Sequence, residues 1–257
     1  MTIPFSKYQG TGNDFIIVDN RDNIFSKNNT KLIAQMCDRK FGIGADGLML
    51  LEKHSEVDFR MVYYNADGNE SSMCGNGGRC LVAFAKALSV IHNSCTFEAI
   101  DGMHKASIEE NVVQLKMQDI SIIDEQEAYT FLDTGSPHHI KWVDGVDDIN
   151  VKREGAALRY SQLYGEAGSN INFVEQKSPD HFKVRTYERG VEDETLSCGT
   201  GVTAAAIASH YKGLTSFKEI SLDVEGGRLS VTFEKNDSGY TNVYLIGPAT
   251  YVFKGEW

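Results

Sequence analysis

Two cysteines 124 residues apart stand in the same local frame, and this repetition limits the fold more than any other feature of the 257-residue chain. Glu70-Ser-Ser-Met-Cys74-Gly75-Asn76-Gly77 and Glu194-Thr-Leu-Ser-Cys198-Gly199-Thr200-Gly201 both read E-x-x-x-C-G-x-G. Further correspondences keep the same order. Gly102 and Gly226 each follow their cysteine by 28 residues, and Thr11-Gly12-Asn13 and Thr134-Gly135-Ser136 precede theirs by 63 and 64. Tyr64-Asn65 and Tyr187-Glu188 lie ten and eleven residues upstream. A period this long is domain-sized, so it predicts two related halves and not a solenoid.

Behind each cysteine runs an apolar segment, Arg79 to Leu88 and Val202 to Ala208, without a polar face. A helix apolar all round is one enclosed by protein. Strand-like runs with Gly, Asn or Asp turns surround both, at 3–8, 15–19, 47–51, 59–65, 112–117 and 228–233, and Asn29-Thr30 caps a helix from Lys31 to about Asp38. The predicted fold is α/β (α+β): two pseudo-symmetric halves, each a strand-rich shell around a central buried helix. The first half spans 1–118 and carries Cys74, and the second spans 119–246 and carries Cys198. Residues 119–129 join the halves, and the strand near 250–253, within 247–257, is free to return to either.

A formal net charge of −11 argues against nucleic acid or an anionic membrane as partner. No apolar run approaches the ~20 residues of a membrane helix. Five scattered cysteines suit a reducing compartment, so the expected location is the cytoplasm. Neither C-x-x-C nor a Cys/His cluster with ligand spacing occurs, so no metal site is expected. Cys37, Cys80 and Cys95 read as packing residues.

A cysteine at a helix start meets unpaired N–H groups and the positive end of the helix dipole, which favour a thiolate. The N–H groups of Gly75, Asn76, Gly199 and Thr200 are candidate carboxylate receptors. Two such thiols suit inversion of an amino-acid α-carbon, one as base and one as acid, with no cofactor required.

The chain resembles the diaminopimelate epimerase family along its whole length. The matching motifs are Gly10-Thr-Gly-Asn-Asp-Phe15, Gly42-Ile-Gly-Ala-Asp-Gly47, Tyr64-Asn-Ala-Asp-Gly68, Met73-Cys-Gly-Asn-Gly-Gly-Arg-Cys80, Gly135-Ser-Pro-His138, Asn170-Ile-Asn-Phe173, Tyr187-Glu-Arg-Gly190 and Cys198-Gly-Thr-Gly201. The resemblance implies interconversion of LL- and meso-diaminopimelate in lysine and peptidoglycan precursor synthesis, and a homodimer. It implies Cys74 as proton donor and Cys198 as acceptor, exchanging with direction, assisted by His138 and Glu188. Gly75, Asn76, Gly199 and Thr200 would cradle the α-carboxylate. Asn13, Asn65, Asn170, Glu188 and Arg189 would hold the rest of the substrate. Two positions depart from the family: Gly47 stands where many members carry Gln, and Ser136 where they carry Asn.

Plainer readings stand beside these. His138 also reads as a turn residue after Pro137, Glu188-Arg189 as a surface ion pair, and Asn13, Asn65 and Asn170 as turn formers with positive φ. Glu70 and Glu194 read as helix-start electrostatics or caps. The alternatives for the whole chain are a proline or hydroxyproline racemase on the same fold, a thiol redox protein, or a non-catalytic amino-acid carrier. Phenazine-pathway isomerases share the fold without the thiol pair.

Overall fold

The computed structural model describes all residues except 1, 28 and 72. The chain forms two units, residues 1–115 with 247–257, and residues 116–246.

The first unit begins with an antiparallel hairpin, β1 (Pro4–Gly10) and β2 (Asn13–Asp19), turning at Thr11 and Gly12. Both turn residues have positive φ, 50° and 92°, and the glycine accommodates this without strain. Helix α1 (Thr30–Cys37) crosses to β3 (Gly47–Glu52), which runs parallel to β2. Asn29 caps α1 through its side chain, which accepts from the Leu32 N–H. Next come β4 (Phe59–Asn65), antiparallel to β3, and the two-residue β5 (Glu70–Ser71). Helix α2 (Gly75–Ala87) follows, then β6 (Ser94–Ala99), β7 (Gly102–Glu109) and β8 (Val112–Lys116).

The second unit repeats this pairing pattern. After the short β9 (Ile123–Glu125), β10 (Thr130–Asp133) and β11 (Pro137–Trp142) form the hairpin. Helix α3 (Val151–Arg159) crosses to β12 (Asn170–Ser178), parallel to β11. Strands β13 (His181–Glu188) and β14 (Asp193–Thr195), helix α4 (Gly199–Tyr211), and β15 (Glu219–Val224), β16 (Gly227–Asn236) and β17 (Gly239–Pro248) complete the series. β6 lies parallel to β4 as β15 lies parallel to β13. The last strand, β18 (Thr250–Glu256), pairs with β1 in the first unit, and β9 pairs with β10 in the second.

Two sequence expectations change. The hairpin registers Ala99↔Gly102 and Val224↔Gly227 make Gly227, not Gly226, the counterpart of Gly102. Both carry positive φ, 122° and 139°. Residues 119–129 are part of the second unit and not a joining stretch, since Ile120 bridges Tyr240 and β9 extends the sheet.

Strand alternation explains why β2 from Phe15 to Val18 and β3 from Leu48 to Leu51 are apolar at successive positions. Ile16, Val18, Leu48 and Leu50 pack with Ile33 and Met36 of α1. Phe15 and Met49 face the other way, onto Gly77 of α2. A sheet covered on both faces needs hydrophobic residues on both. In the second unit Ile171, Phe173 and Tyr187 pack with Val151 of α3, which leaves the opposite face of β12 and β13 toward α4. Helix α4 is buried at Gly199 and from Gly201 to Ser209. Its Thr203 and Ser209 hydroxyls donate to the Gly199 and Ala205 carbonyls, so their burial leaves no polar group unmet.

Candidate active site

Each cysteine is the N-cap residue of its unit's enclosed helix. Cys74 has extended backbone (φ −95°, ψ 131°) and Cys198 likewise (φ −117°, ψ 107°). Each carbonyl accepts the first helical bond, from Gly78 at 2.7 Å and Val202 at 2.9 Å. The backbone N–H groups at the start of each helix have no carbonyl within the helix to bond to. Cys74 is half-buried, Cys198 buried.

In the first unit Asn76 Nδ2 donates to Asn13 Oδ1 at 2.5 Å, and Asn13 Nδ2 donates to Asp46 at 3.0 Å. Asp46 in turn belongs to an ion network with Arg39, Asp14 and the buried Lys7. Asn65 ends β4 exposed, opposite Gly47. A Cβ on Gly47 would sit 2.5 Å from both the Tyr63 ring and the Tyr64 carbonyl oxygen. The Tyr63 ring and the Tyr64 oxygen thus occupy the space that a side chain at position 47 would need. Arg79 is fully buried, and its guanidinium donates to Gly75 O (3.4 Å), Thr11 Oγ1 (3.1 Å) and Pro248 O (3.5 Å).

In the second unit a hydrogen-bonded chain ends at the sulfur. Asn172 Nδ2 donates to the His139 carbonyl (3.1 Å), and its Oδ1 accepts from Thr186 (2.9 Å), which fixes the amide orientation. The same Nδ2 lies 3.1 Å from His138 Nδ1, so that nitrogen accepts and the ring proton sits on Nε2. Nε2 donates to Thr200 Oγ1 at 2.9 Å, leaving the Thr200 hydroxyl to donate to Cys198 Sγ at 3.5 Å. Burial, with the Arg189 charge adding to it, pushes the His138 pKa from 6.5 down to about 3. The ring is therefore neutral near pH 7 and orients protons without carrying charge.

Asn170 acts as a brace. Its Nδ2 donates to Ser136 Oγ (2.8 Å) and Pro137 O (3.0 Å), while its Oδ1 accepts from the Arg189 N–H (2.9 Å). The Arg189 guanidinium donates to Ala167 O at 3.1 Å, and Glu188 Oε2 accepts from Thr195 at 3.0 Å.

The structure thus groups Asn13, Asn76 and Gly75 with Cys74, and His138, Thr200, Gly199, Asn170, Glu188 and Arg189 around β11–β13 and the start of α4. The positive-φ readings of the asparagines and the turn reading of His138 fall away, although Asn65 does open a turn, its carbonyl accepting from the Gly68 N–H at 2.9 Å. Asn13, Asn65 and Asn170 lie in strands without positive φ, and His138 is a buried strand residue. Glu70 and Glu194 do not play one repeated part, since Glu194 forms a two-point ion pair with Arg185 (2.7 and 2.8 Å) and Glu70 lies exposed in β5. Sequence reasoning missed Arg79 and Asn172. The signals were a charge inside an otherwise apolar helix and a polar residue at a strand position facing a buried helix. Among the described residues no group of three or more His, Cys, Asp or Glu is placed to hold a metal, and no helix is long and apolar enough to cross a membrane.

A family model described as diaminopimelate epimerase matches residues 5–122 and 130–252. A diaminopimelate epimerase from Flavobacterium psychrophilum is 59% identical over 249 residues, covering 96% of this chain and 97% of that protein. One from Aquifex aeolicus is 37% identical over 272 residues, covering 98% and 96%. Among solved structures, a PhzF-family phenazine biosynthesis protein from Bacillus anthracis superposes with TM-score 0.79 at 16% identity, covering 100% of this chain and 99% of that one. A hydroxyproline epimerase from Agrobacterium vitis gives 0.68 at 13% identity, covering 99% and 92%. At such identities these two share the fold alone, whereas the family model and the curated relatives agree along nearly the whole sequence: the chain belongs to the diaminopimelate epimerase family.

Proposed function

We propose that this chain is a cofactor-independent isomerase that interconverts LL- and meso-diaminopimelate by proton transfer at the α-carbon, using Cys74 and Cys198 as its acid–base pair. The observation that carries the reading is the repeated placement of a cysteine as N-cap of an enclosed helix, within a family whose relatives bear this activity in their names. Inversion needs a base to take the α-proton and an acid to return one. Cys74 serves as donor and Cys198 as acceptor, and the roles exchange with direction.

Charge moving into the substrate carboxylate is stabilised by donors already in place. The N–H groups of Gly75, Asn76, Gly199 and Thr200 supply them. His138 and Glu188 assist, His138 through the Thr200 hydroxyl. Asn13, Asn65 and Arg189 hold the amino and distal ends of the substrate. Asn170, with both N–H groups committed, contributes its remaining oxygen lone pair and the placement of Arg189. The pathway context is lysine and peptidoglycan precursor synthesis in the cytoplasm. A homodimer is the proposed assembly, supported by the exposed apolar strip Tyr251, Val252 and Phe253 on β18.

Incubation with diaminopimelate in D₂O tests the reading. Deuterium enters the α-carbon with the wild-type protein, and Cys74→Ala and Cys198→Ala each abolish epimerisation. Near-normal turnover by either variant, or exchange confined to proline-type substrates, overturns it.

A further inference from the structure

Helix α3 ends on a buried cation. Gly155 seats the helix so closely against β13 that a Cβ there would lie 2.6 Å from Tyr187 Cγ. Arg159, four residues on along the same face, is 9% exposed and carries the charge that a helix C-terminus favours. Its Nη2 stands 3.3 Å from Glu192 Oε1, yet Nε and Nη1, both buried, have no hydrogen-bond partner among the described residues. By contrast, Arg185 in the same unit meets Glu194 through two bonds of 2.7 and 2.8 Å. A desolvated guanidinium held by one long contact costs stability, so stability does not account for it.

Two loops close on this side chain. Residues 160–168 lead from the end of α3 toward β12, and Gly168 (φ 63°) lies directly on the guanidinium: a Cβ there would sit 2.6 Å from Nε, overlapping the group. Tyr160, at the start of the same loop, has its ring centroid 4.7 Å from Arg159 Cζ. Residues 189–192 turn from β13 to β14. Glu192, the partner of Arg159, has a φ of 58°, a left-handed conformation that a residue with a side chain holds only under constraint. The constraint is visible. Its N–H bonds Glu188 O at 2.8 Å, and its Oε1 accepts from the Gly190 N–H at 3.1 Å while facing Arg159.

Arg189 stands where the two loops meet. Its N–H donates to Asn170 Oδ1 at 2.9 Å, and its guanidinium donates to Ala167 O at 3.1 Å, beside Gly168. It also lies inside the turn that Glu192 closes. Arg159 therefore contacts both segments that locate Arg189, one through Glu192 and the other through Gly168.

We propose that Arg159 is a positioning residue for Arg189: by bracing the two loops it fixes that guanidinium before substrate arrives, and so sets affinity for the far end of the substrate and not the rate of proton transfer. A side chain already held in its binding geometry loses less freedom when the ligand binds. A contact of equal strength in the ground and transition states changes KM and leaves kcat alone. The kinetic consequence rests on the reading of Arg189 as a substrate-holding residue, whereas the brace is tested without substrate, so the two fail separately.

Hydrogen exchange of the full, ligand-free protein, read by mass spectrometry, tests the brace. The amides of Gly165, Gly168, Arg189, Gly190 and Glu192 all have hydrogen bonds to lose. Arg159→Met speeds their exchange about tenfold or more and leaves α4 unchanged. Unchanged exchange in both loops, or a uniform rise along the chain, overturns the proposal. Steady-state epimerisation tests the consequence. Arg159→Met raises KM for diaminopimelate about tenfold with kcat within about threefold of wild type, and Arg159→Lys, which keeps the charge, recovers part of the KM. A lower kcat at unchanged KM, the mark of a smaller folded fraction, overturns it. In an Arg189→Ala background Arg159→Met adds no further rise in KM, and additive effects overturn the proposal. Wild-type KM in Arg189→Ala alone overturns the reading of Arg189 and the affinity role with it, while the exchange result still decides the brace. Should Arg159→Met fail to fold, Glu192→Gln, which removes the charge but keeps an acceptor for the Gly190 N–H, is read by the same two measurements.

Discussion

Gly47 shows how a single side chain restricts its neighbour. An added methyl would meet both a ring and a backbone carbonyl at 2.5 Å, and the carbonyl has no rotamer to move to. Gly47→Ala is therefore expected to lower unfolding stability by about 1–3 kcal/mol, the usual cost of overpacking, as read by urea denaturation. Trimming Tyr63 to Ala in the same chain recovers only part of this, because the Tyr64 oxygen stays; full recovery would place the conflict in the ring alone. The cysteines were legible at this scale because a repeated frame is visible without structure. Arg79 and Asn172 were not. Their meaning depends on what faces them across the fold, and a buried charge reads in sequence like any arginine near a helix end.

At the scale of elements, the starts of α2 and α4 were readable because glycine follows each cysteine and the apolar run begins at once. Helix α3 went unmarked, although Asn150 caps it by accepting from the Arg153 N–H at 3.0 Å. It is a two-and-a-half-turn segment whose buried residues are Val151, Gly155 and Arg159, with Ala156 and Leu158 half-buried beside them, a stripe broken by a glycine and an arginine. The short β5 and β14 were invisible for a similar reason, since two or three residues carry no period. The close seating of α4 on its sheet gives a prediction. A Cβ on Gly201 would lie 2.4 Å from Asn172 Oδ1 and 3.3 Å from His138 Cε1. Gly201→Ala should displace the ring from Thr200 and lower kcat about tenfold or more, roughly 1.4 kcal/mol in the barrier. Unchanged steady-state kinetics would show that the hydrogen-bonded chain is dispensable.

For the molecule as a whole, buried neutral histidines tie stability to pH. His138 is depressed from 6.5 to about 3, and His139, desolvated and bonded to Tyr164, to about 4. Unfolded, both bind protons below about 6.5, and folded they do not. Their contribution is therefore complete above that pH and is lost on acidification toward 3–4. Denaturant titrations between pH 7 and 4 should show stability falling with a slope approaching two protons taken up on unfolding. A flat profile down to pH 5 would mean the rings are solvated. The paired architecture was foreseeable from the repeated motifs, whereas the destination of the last strand was not. β18 is exposed on nearly every residue, and its sequence carries no sign of which sheet it joins.

That destination has a consequence during synthesis. β1, the leading strand of the first unit, gains its outer neighbour only from residues 250–256, after the entire second unit has left the ribosome. Until then one flank of the nascent sheet presents bare amide and carbonyl groups, the kind of template that recruits stray strands. A translating cell must keep that seam from meeting other chains until the final segment arrives to seal it.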